Sequence, residues 1–294
     1  MSIPLLVQTL IDGIMVGGVY ATIAVGLSLA FGVMRIVNWA HGEFLMVAMY
    51  IAFLSVINLG VDPYLSILIT GPIMFLVGFL LQKIVFNRML EKDSSREPLS
   101  ILLFTSGLGI FLSNMATVIF SSNILATQTA YTSQTVKLGE IIVSVPRMIS
   151  FLIALVCTII LYLVIQRSEF GRALRATAQN RHVASLMGIN HKTIYALAMG
   201  IGLALVGISG SLLVPNSAVS PTIGSAYGTK CFIIVVLGGK GSVPGALLGG
   251  LIVGLIEKFG GIIWTDAYAS LLVFVLFILM LLFRPSGLLG RETS

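Results

Sequence analysis

Five ionisable residues sit in apolar surroundings: Asp12, Glu43, Lys230, Glu257 and Lys258. A charge at membrane depth costs about 2.5–3.5 kcal/mol on insertion scales, so such groups face a protein interior, a water-filled path or a partner. The densest polar cluster is Asn38-Trp39-Ala40-His41-Gly42-Glu43. Asn38 and Gly42 favour a break in a helix, which frees backbone groups to meet a polar solute. The plainer reading is a tight turn closed by a hydrogen bond between His41 and Glu43, and the two readings are compatible. Lys230 can pair with Glu43, Asp12 or Glu257, or meet a substrate carboxylate. A metal centre is not expected, because His41 stands without further ligands while His182 and His191 fall in a separate polar segment. No nucleophile–base constellation stands out, and no G-x-x-x-x-G-K-[ST] loop is present to cradle a nucleotide. Gly238-Gly239-Lys240-Gly241-Ser242 imitates one only in composition. The chain reads as a non-enzyme that requires no cofactor.

The elements that must carry these residues are helices in lipid. The 294 residues are 57% hydrophobic and 10% charged, against about 25% charged in a soluble domain. Apolar runs recur near residues 9–33, 39–59, 64–86, 99–121, 148–166, 193–214, 225–238, 244–263 and 268–284. About 20 apolar residues suffice to cross a hydrocarbon core as a helix. The expected fold is an all-α integral membrane protein of eight to nine transmembrane helices in one domain over residues 1–294. The seventh run is short and the turn before the second is tight, so either place can hold a broken or re-entrant segment. Cys157 and Cys231 both fall in apolar runs and imply no disulfide framework. The first apolar run has no Lys or Arg before it, which argues against a cleaved signal peptide.

The formal net charge of +6 raises nucleic acid as a partner, but the positions of the basic residues point to topology. Lys83, Arg88, Lys92 and Arg96 follow the third span, and Arg167, Arg172, Arg175, Arg181 and Lys192 cluster after the fifth. Residues 122–147 between them carry only Lys137 and Arg147, a balance of nine to two. Under the positive-inside rule, residues 166–192 and the C-terminal tail with Arg284 and Arg291 are cytoplasmic, and the N-terminus is extracytoplasmic. The outer segment 122–147 is Thr/Ser-rich and then alternates around a glycine, as a small hairpin does.

The segment Gly171-Arg-Ala-Leu-Arg-Ala-Thr-Ala-Gln-Asn-Arg-His-Val-Ala-Ser-Leu-Met-Gly-Ile-Asn190 is the longest polar island. A helix over 172–187, ended by Gly188 at its C′ position, would place Arg172, Arg175, Gln179 and His182 on one face. Its apolar face is made of small residues, a poor anchor for lipid and a better match for a groove in another protein. The alternative is a solvated loop whose arginines only enforce topology.

Together with Ser168–Phe170 this island resembles the cytoplasmic coupling segment of the branched-chain amino-acid ABC-transporter permeases (the LivH/LivM type). Residues 36–43, residues 235–257 and the closing stretch 283–291 resemble the same family, in the same order. The resemblance implies a translocation pathway involving Asn38, His41, Gly42 and Glu43, with Lys230 and Glu257 as further pathway candidates. It implies ATPase coupling through Gly171, Arg172, Arg175, Arg181, His182 and Gly188. The implied partners are cytoplasmic ABC ATPase subunits, a second homologous permease, an extracytoplasmic substrate-binding protein and membrane lipid, with no nucleic acid. The implied location is the bacterial plasma membrane and the implied cargo is branched-chain or related small amino acids, with urea or short amides as the alternative. A different class also accommodates the buried charges: an ion-coupled secondary transporter using Asp12, Glu43 and Glu257.

Overall fold

A computed structural model describes residues 3–92, 97–129, 131–263 and 265–290. Arg96 and Arg291 of the basic tally lie outside them. Helix α1 runs Ile3–Met34 and α2 His41–Leu59. Helix α3, Ile67–Leu80, passes through a π-helical turn, Leu81–Phe86, into α4, Asn87–Lys92. Then come α5 (Glu97–Phe120), strands β1 (Thr135–Leu138) and β2 (Ile141–Ser144), and α6 (Val145–Arg167). The polar island forms α7 (Glu169–Gln179) and α8 (Arg181–Leu186). The chain closes with α9 (His191–Leu213), α10 (Ile223–Gly238), α11 (Val243–Ile263) and α12 (Asp266–Phe283).

Seven of the described helices are long and apolar enough to span a membrane, and α10 and α12 are shorter apolar helices. The expected all-α membrane architecture is therefore present, with the hairpin as its small β exception. Helix α1 is apolar on all sides, and such a helix belongs inside. It packs along α11, α9, α6 and α10. The peripheral helices instead turn large side chains outward, including Val118 of α5, Ile160 of α6 and Leu282 of α12. In lipid these are the contact surface, where a helix keeps its backbone polar groups paired internally. The glycines of α11 serve packing within the chain. A Cβ on Gly250 would stand 2.6 Å from the backbone of Ala21, and one on Gly249 2.8 Å from the Ile234 carbonyl oxygen.

Two ends of the bundle can be told apart. At one, β1 and β2 pair antiparallel in the register Thr135↔Ser144 to Leu138↔Ile141, turning at Gly139 with φ +66°. Tyr131, beside this hairpin, stacks on Tyr64 at 5.7 Å and donates to Asp62 Oδ2 at 2.6 Å. At the other end lie α7, α8 and the Gly239–Ser242 turn. The hairpin expected in 122–147 is thus formed.

The single helix expected over 172–187 is corrected to two. Asn180 leaves the helical region (φ −152°, ψ 105°), and its Oδ1 accepts from the backbone N–H groups of His182 and Val183. A residue that caps a new helix this way ends the preceding one. His182 consequently belongs to α8 and does not continue the α7 face of Arg172 and Arg175. Gly188, at φ +82°, closes α8 in the left-handed conformation that glycine accepts without penalty.

Candidate functional site

The depth of α2 decides what its first residues can do. Asp12 of α1 pairs with Arg147 at the start of α6, and Gly32 abuts Gly241 at the opposite end. Those two contacts bracket the membrane-crossing part of α1, and Ile23 lies midway. The His41 ring donates from Nε2 to the Ile23 carbonyl at 3.0 Å. From Met34 to Ile23 the helix rises about 16 Å. Residues 35–40, opening on Arg35 at φ +56°, therefore carry the chain back into the middle of the bundle before α2 begins. The helix break expected from Asn38 and Gly42 falls at residues 35–40, with Gly42 already inside α2, and it places an N-terminus at mid-depth.

A cavity of about 370 Å³ opens at this break, within the range of roughly 300–1,000 Å³ typical of small-molecule sites. Asn38, His41, Gly42 and Glu43 all line it, together with faces of α5 and α10. Asn38 is 4% exposed. Its Oδ1 accepts from the Ala40 N–H at 3.1 Å, while its Nδ2 has no partner. Glu43 Oε2 is likewise buried and unpartnered, so the expected His41–Glu43 bond is not what closes the turn. The wall is held by close backbone approach. A Cβ on Gly42 would lie 2.2 Å from the Gly224 carbonyl oxygen, and one on Gly224 would lie 2.2 Å from Glu43 Oε2.

Lys230 and Glu257 do not line this cavity. They form an ion pair at 2.9 Å between α10 and α11, with Tyr20 of α1 accepting from Lys230 at 3.2 Å and donating to Glu257 at 3.1 Å. Among the three partners open to Lys230, the structure selects Glu257. Asp12 is taken by Arg147 at 3.0 Å. Glu257, Asp12 and Lys258 line a second hollow of about 250 Å³ near the hairpin end.

The residues missed by sequence reasoning are Ser106, Ser113 and Asn114 of α5 and Ser225 and Thr229 of α10, all of which line the main cavity. The signal was the spacing. Positions 106, 113 and 114 fall on one face of a mostly apolar helix, as do 225 and 229 on α10.

On the polar island, Gly171 sits where a Cβ would collide with the Ile165 carbonyl oxygen. The Arg175 guanidinium donates to that same carbonyl, which is one of the orphan acceptors at the end of α6. Arg172 makes only an exposed contact with Glu169 at 3.5 Å. Arg181 also has an interaction partner. Beside the exposed Arg172, Arg181 and His182, the segment presents three large apolar side chains outward: Val183 is 52%, Leu186 75% and Met187 78% exposed. Ser168 and Asn190 cap the flanking helix starts.

The family model "Branched-chain amino acid transport system / permease component" matches residues 9–281. The chain belongs to this family. The permease BraD of Pseudomonas aeruginosa is 36% identical over 97% of this chain and 95% of that protein. LivH of Escherichia coli K12 is 31% identical over the same shares of each. A probable LivH of Methanocaldococcus jannaschii is 26% identical over 92% of this chain and 88% of its own length. As a member of this family, with its bundle of apolar helices, the chain is a multi-pass membrane permease.

Proposed function

We propose that the chain is one of two permease subunits of an ATP-driven importer for branched-chain or related small amino acids in the plasma membrane. In this reading the end with α7 and α8 is cytoplasmic, the hairpin end and N-terminus are extracytoplasmic, and residues 1–294 work as a single domain. The partners are a second homologous permease across α5 and α10, two cytoplasmic ATPase subunits, and an external binding protein that delivers the solute. The mid-depth cavity at Asn38, His41, Gly42 and Glu43 belongs to the translocation path, and Lys230 and Glu257 brace the helix that forms one wall of it. The chain performs no covalent chemistry, because the ATPases supply the energy.

The observation that carries the coupling role is how α7 is seated. Gly171 and Arg175 fasten it to the end of α6, so a push on the segment moves a spanning helix instead of bending a loop. The fastening uses Arg175 inward and leaves Leu186 and Met187 outward, which makes α8 the docking surface and Arg172, Arg181 and His182 its polar surround. An ion-coupled mechanism is less well supported, since two of its three candidate carboxylates, Asp12 and Glu257, are each neutralised by a basic partner and only Glu43 is left.

The test is purification of the tagged chain in mild detergent, with mass spectrometry of stoichiometric partners. A Walker-motif ATPase is expected with the wild type and lost in Leu186→Glu/Met187→Glu. A chain that purifies alone yet still transports amino acid overturns the importer reading.

A further inference from the structure

The hydroxyls of the mid-depth cavity have already spent their protons. Ser106 Oγ donates to the Leu102 carbonyl at 2.8 Å and Ser113 Oγ to the Pro221 carbonyl at 3.0 Å. Ser225 Oγ donates to the Thr222 carbonyl and Thr229 Oγ1 to the Ser225 carbonyl, both at 2.9 Å. The Asn114 amide donates to the Ile110 carbonyl at 2.7 Å. Each hydroxyl therefore turns only lone pairs toward the hollow, while Asn114 keeps its carbonyl oxygen and one further N–H. Glu43, whose Oε2 is buried without a partner, adds a carboxylate, and no lysine or arginine is among the lining residues. The His41 Nε2 proton is committed to Ile23. Against these acceptors the nine-tenths-buried Asn38 offers an unpartnered Nδ2, and the Trp39 indole N–H and the second Asn114 N–H are the other side-chain donors on the lining. Trp39 and Phe232, with ring centroids 5.7 Å apart, complete an apolar wall.

A wall in which acceptors outnumber donors, with one unpartnered buried carboxyl group and no basic side chain, is complementary to a group that is cationic and rich in N–H donors. We infer that the cavity is a resting site for the solute inside the permease itself, and that Glu43 selects solutes bearing an ammonium group. The ammonium of an α-amino acid offers three N–H donors to Glu43 and the hydroxyl oxygens. Its carboxylate meets the Asn38 amide at the N-terminal end of α2, where the partial positive charge of a helix also favours an anion. An aliphatic side chain lies against Trp39 and Phe232. Neutral amides and urea supply donors but no charge to offset a carboxylate at mid-depth, so the site discriminates against them. This rests on the reading of the cavity as part of the path, and it deepens that reading by placing part of the selectivity in the permease.

The test uses the full-length chain, purified with its native partners into nanodiscs and without any binding protein. Saturation-transfer NMR, suited to weak ligands, is run with leucine, with isoamylamine (ammonium without carboxylate) and with 4-methylpentanoate (carboxylate without ammonium). Leucine and isoamylamine are expected to bind at least about tenfold more tightly than 4-methylpentanoate, the scale of one hydrogen-bonded charge contact. Glu43→Gln is expected to abolish that difference by weakening leucine and isoamylamine. If Glu43→Gln does not fold, Ser225→Ala/Thr229→Val removes two acceptors from the cavity wall and should weaken both amines by about threefold or more while leaving 4-methylpentanoate unchanged. No detectable leucine binding, equal binding of leucine and 4-methylpentanoate, or amine binding indifferent to these substitutions would overturn the site. If the ATPase co-purifies but the ammonium preference is missing, the site alone fails. If the preference is present but no ATPase is found, the importer reading alone fails.

Discussion

Lys230 Nζ lies 2.9 Å from Glu257 Oε1, and both hold the Tyr20 hydroxyl between them. The ammonium also stands 5.0 Å from the centre of the Tyr20 ring and 5.7 Å from that of Tyr227. Three helices, α1, α10 and α11, are thus tied by one charged knot. The same α10 presents Gly224, Gly228 and Thr229 to the cavity on another side. The knot therefore fixes one wall of that cavity without lining it.

Removing one member should strand the other. Lys230→Met leaves Glu257 half-buried without its cation, a loss of about 3 kcal/mol for a buried pair. The double substitution Lys230→Met/Glu257→Leu should recover much of that stability, because two apolar residues replace two compensated charges. Thermal unfolding in detergent, followed by size exclusion, reads the comparison. A double variant no better than the single one would show that the pair does not act as a unit.

The contact of α2 with α10 predicts a graded glycine series. A Cβ at Gly42 would meet the Gly224 carbonyl at 2.2 Å and the Gly228 backbone at 2.6 Å, whereas one at Gly228 meets its nearest neighbour, Gly42, at 3.3 Å. Gly42→Ala should force the helices apart and cost transport and stability together, since overpacking costs about 1–3 kcal/mol or more. Gly228→Ala needs a shift of only a few tenths of an ångström and should be much milder. Uptake and melting temperature of the two variants give the order, and a reversed order would contradict the crossing.

How much of this was visible beforehand differs by scale. The spans were readable because lipid demands long apolar runs, and the break before α2 because Asn38 and Gly42 interrupt one. The pairings Lys230–Glu257 and Asp12–Arg147 were not, because they depend on which helices become neighbours, and Asp12 and Arg147 lie far apart in the chain. The split at Asn180 was signalled by its type, as asparagine is a strong N-cap, but regular 3-4-3 spacing across it favoured one helix. The exhausted hydroxyl protons of α5 and α10 need coordinates, since each depends on a carbonyl within its own turn or across the bundle.

Tyr131 gives a pH test outside the spanning segments. Its phenol pKa is pushed up by burial, then by its hydrogen bond to Asp62 and that residue's charge. The folded protein therefore holds the proton more tightly than the unfolded chain, whose tyrosines titrate near pH 10. Stability from this group is complete below that value and is lost as pH rises beyond it. The advantage of wild type over Tyr131→Phe in melting temperature should be constant from about pH 7 to 9 and should shrink above about pH 10. An advantage that grew with alkalinity would show that the phenol is not held neutral.

The seat of α7 yields the sharpest functional contrast among the basic residues. Arg175 satisfies the Ile165 carbonyl at the end of α6, and Gly171 makes room for that contact. Arg172 reaches only Glu169, whose side chain is 95% exposed, and such surface pairs contribute about 0–1 kcal/mol. Arg172→Ala should therefore leave melting temperature unchanged. Arg175→Ala leaves a helix-end carbonyl without its charged donor, and Gly171→Ala drives a methyl group into it, so both should loosen α7 from α6. If α7 transmits force, these two variants should still bind the ATPase through Leu186 and Met187 but hydrolyse ATP with little uptake. The ratio of ATP hydrolysed to solute accumulated in proteoliposomes measures this. A normal ratio in Gly171→Ala would mean that the segment docks the ATPase without carrying its stroke.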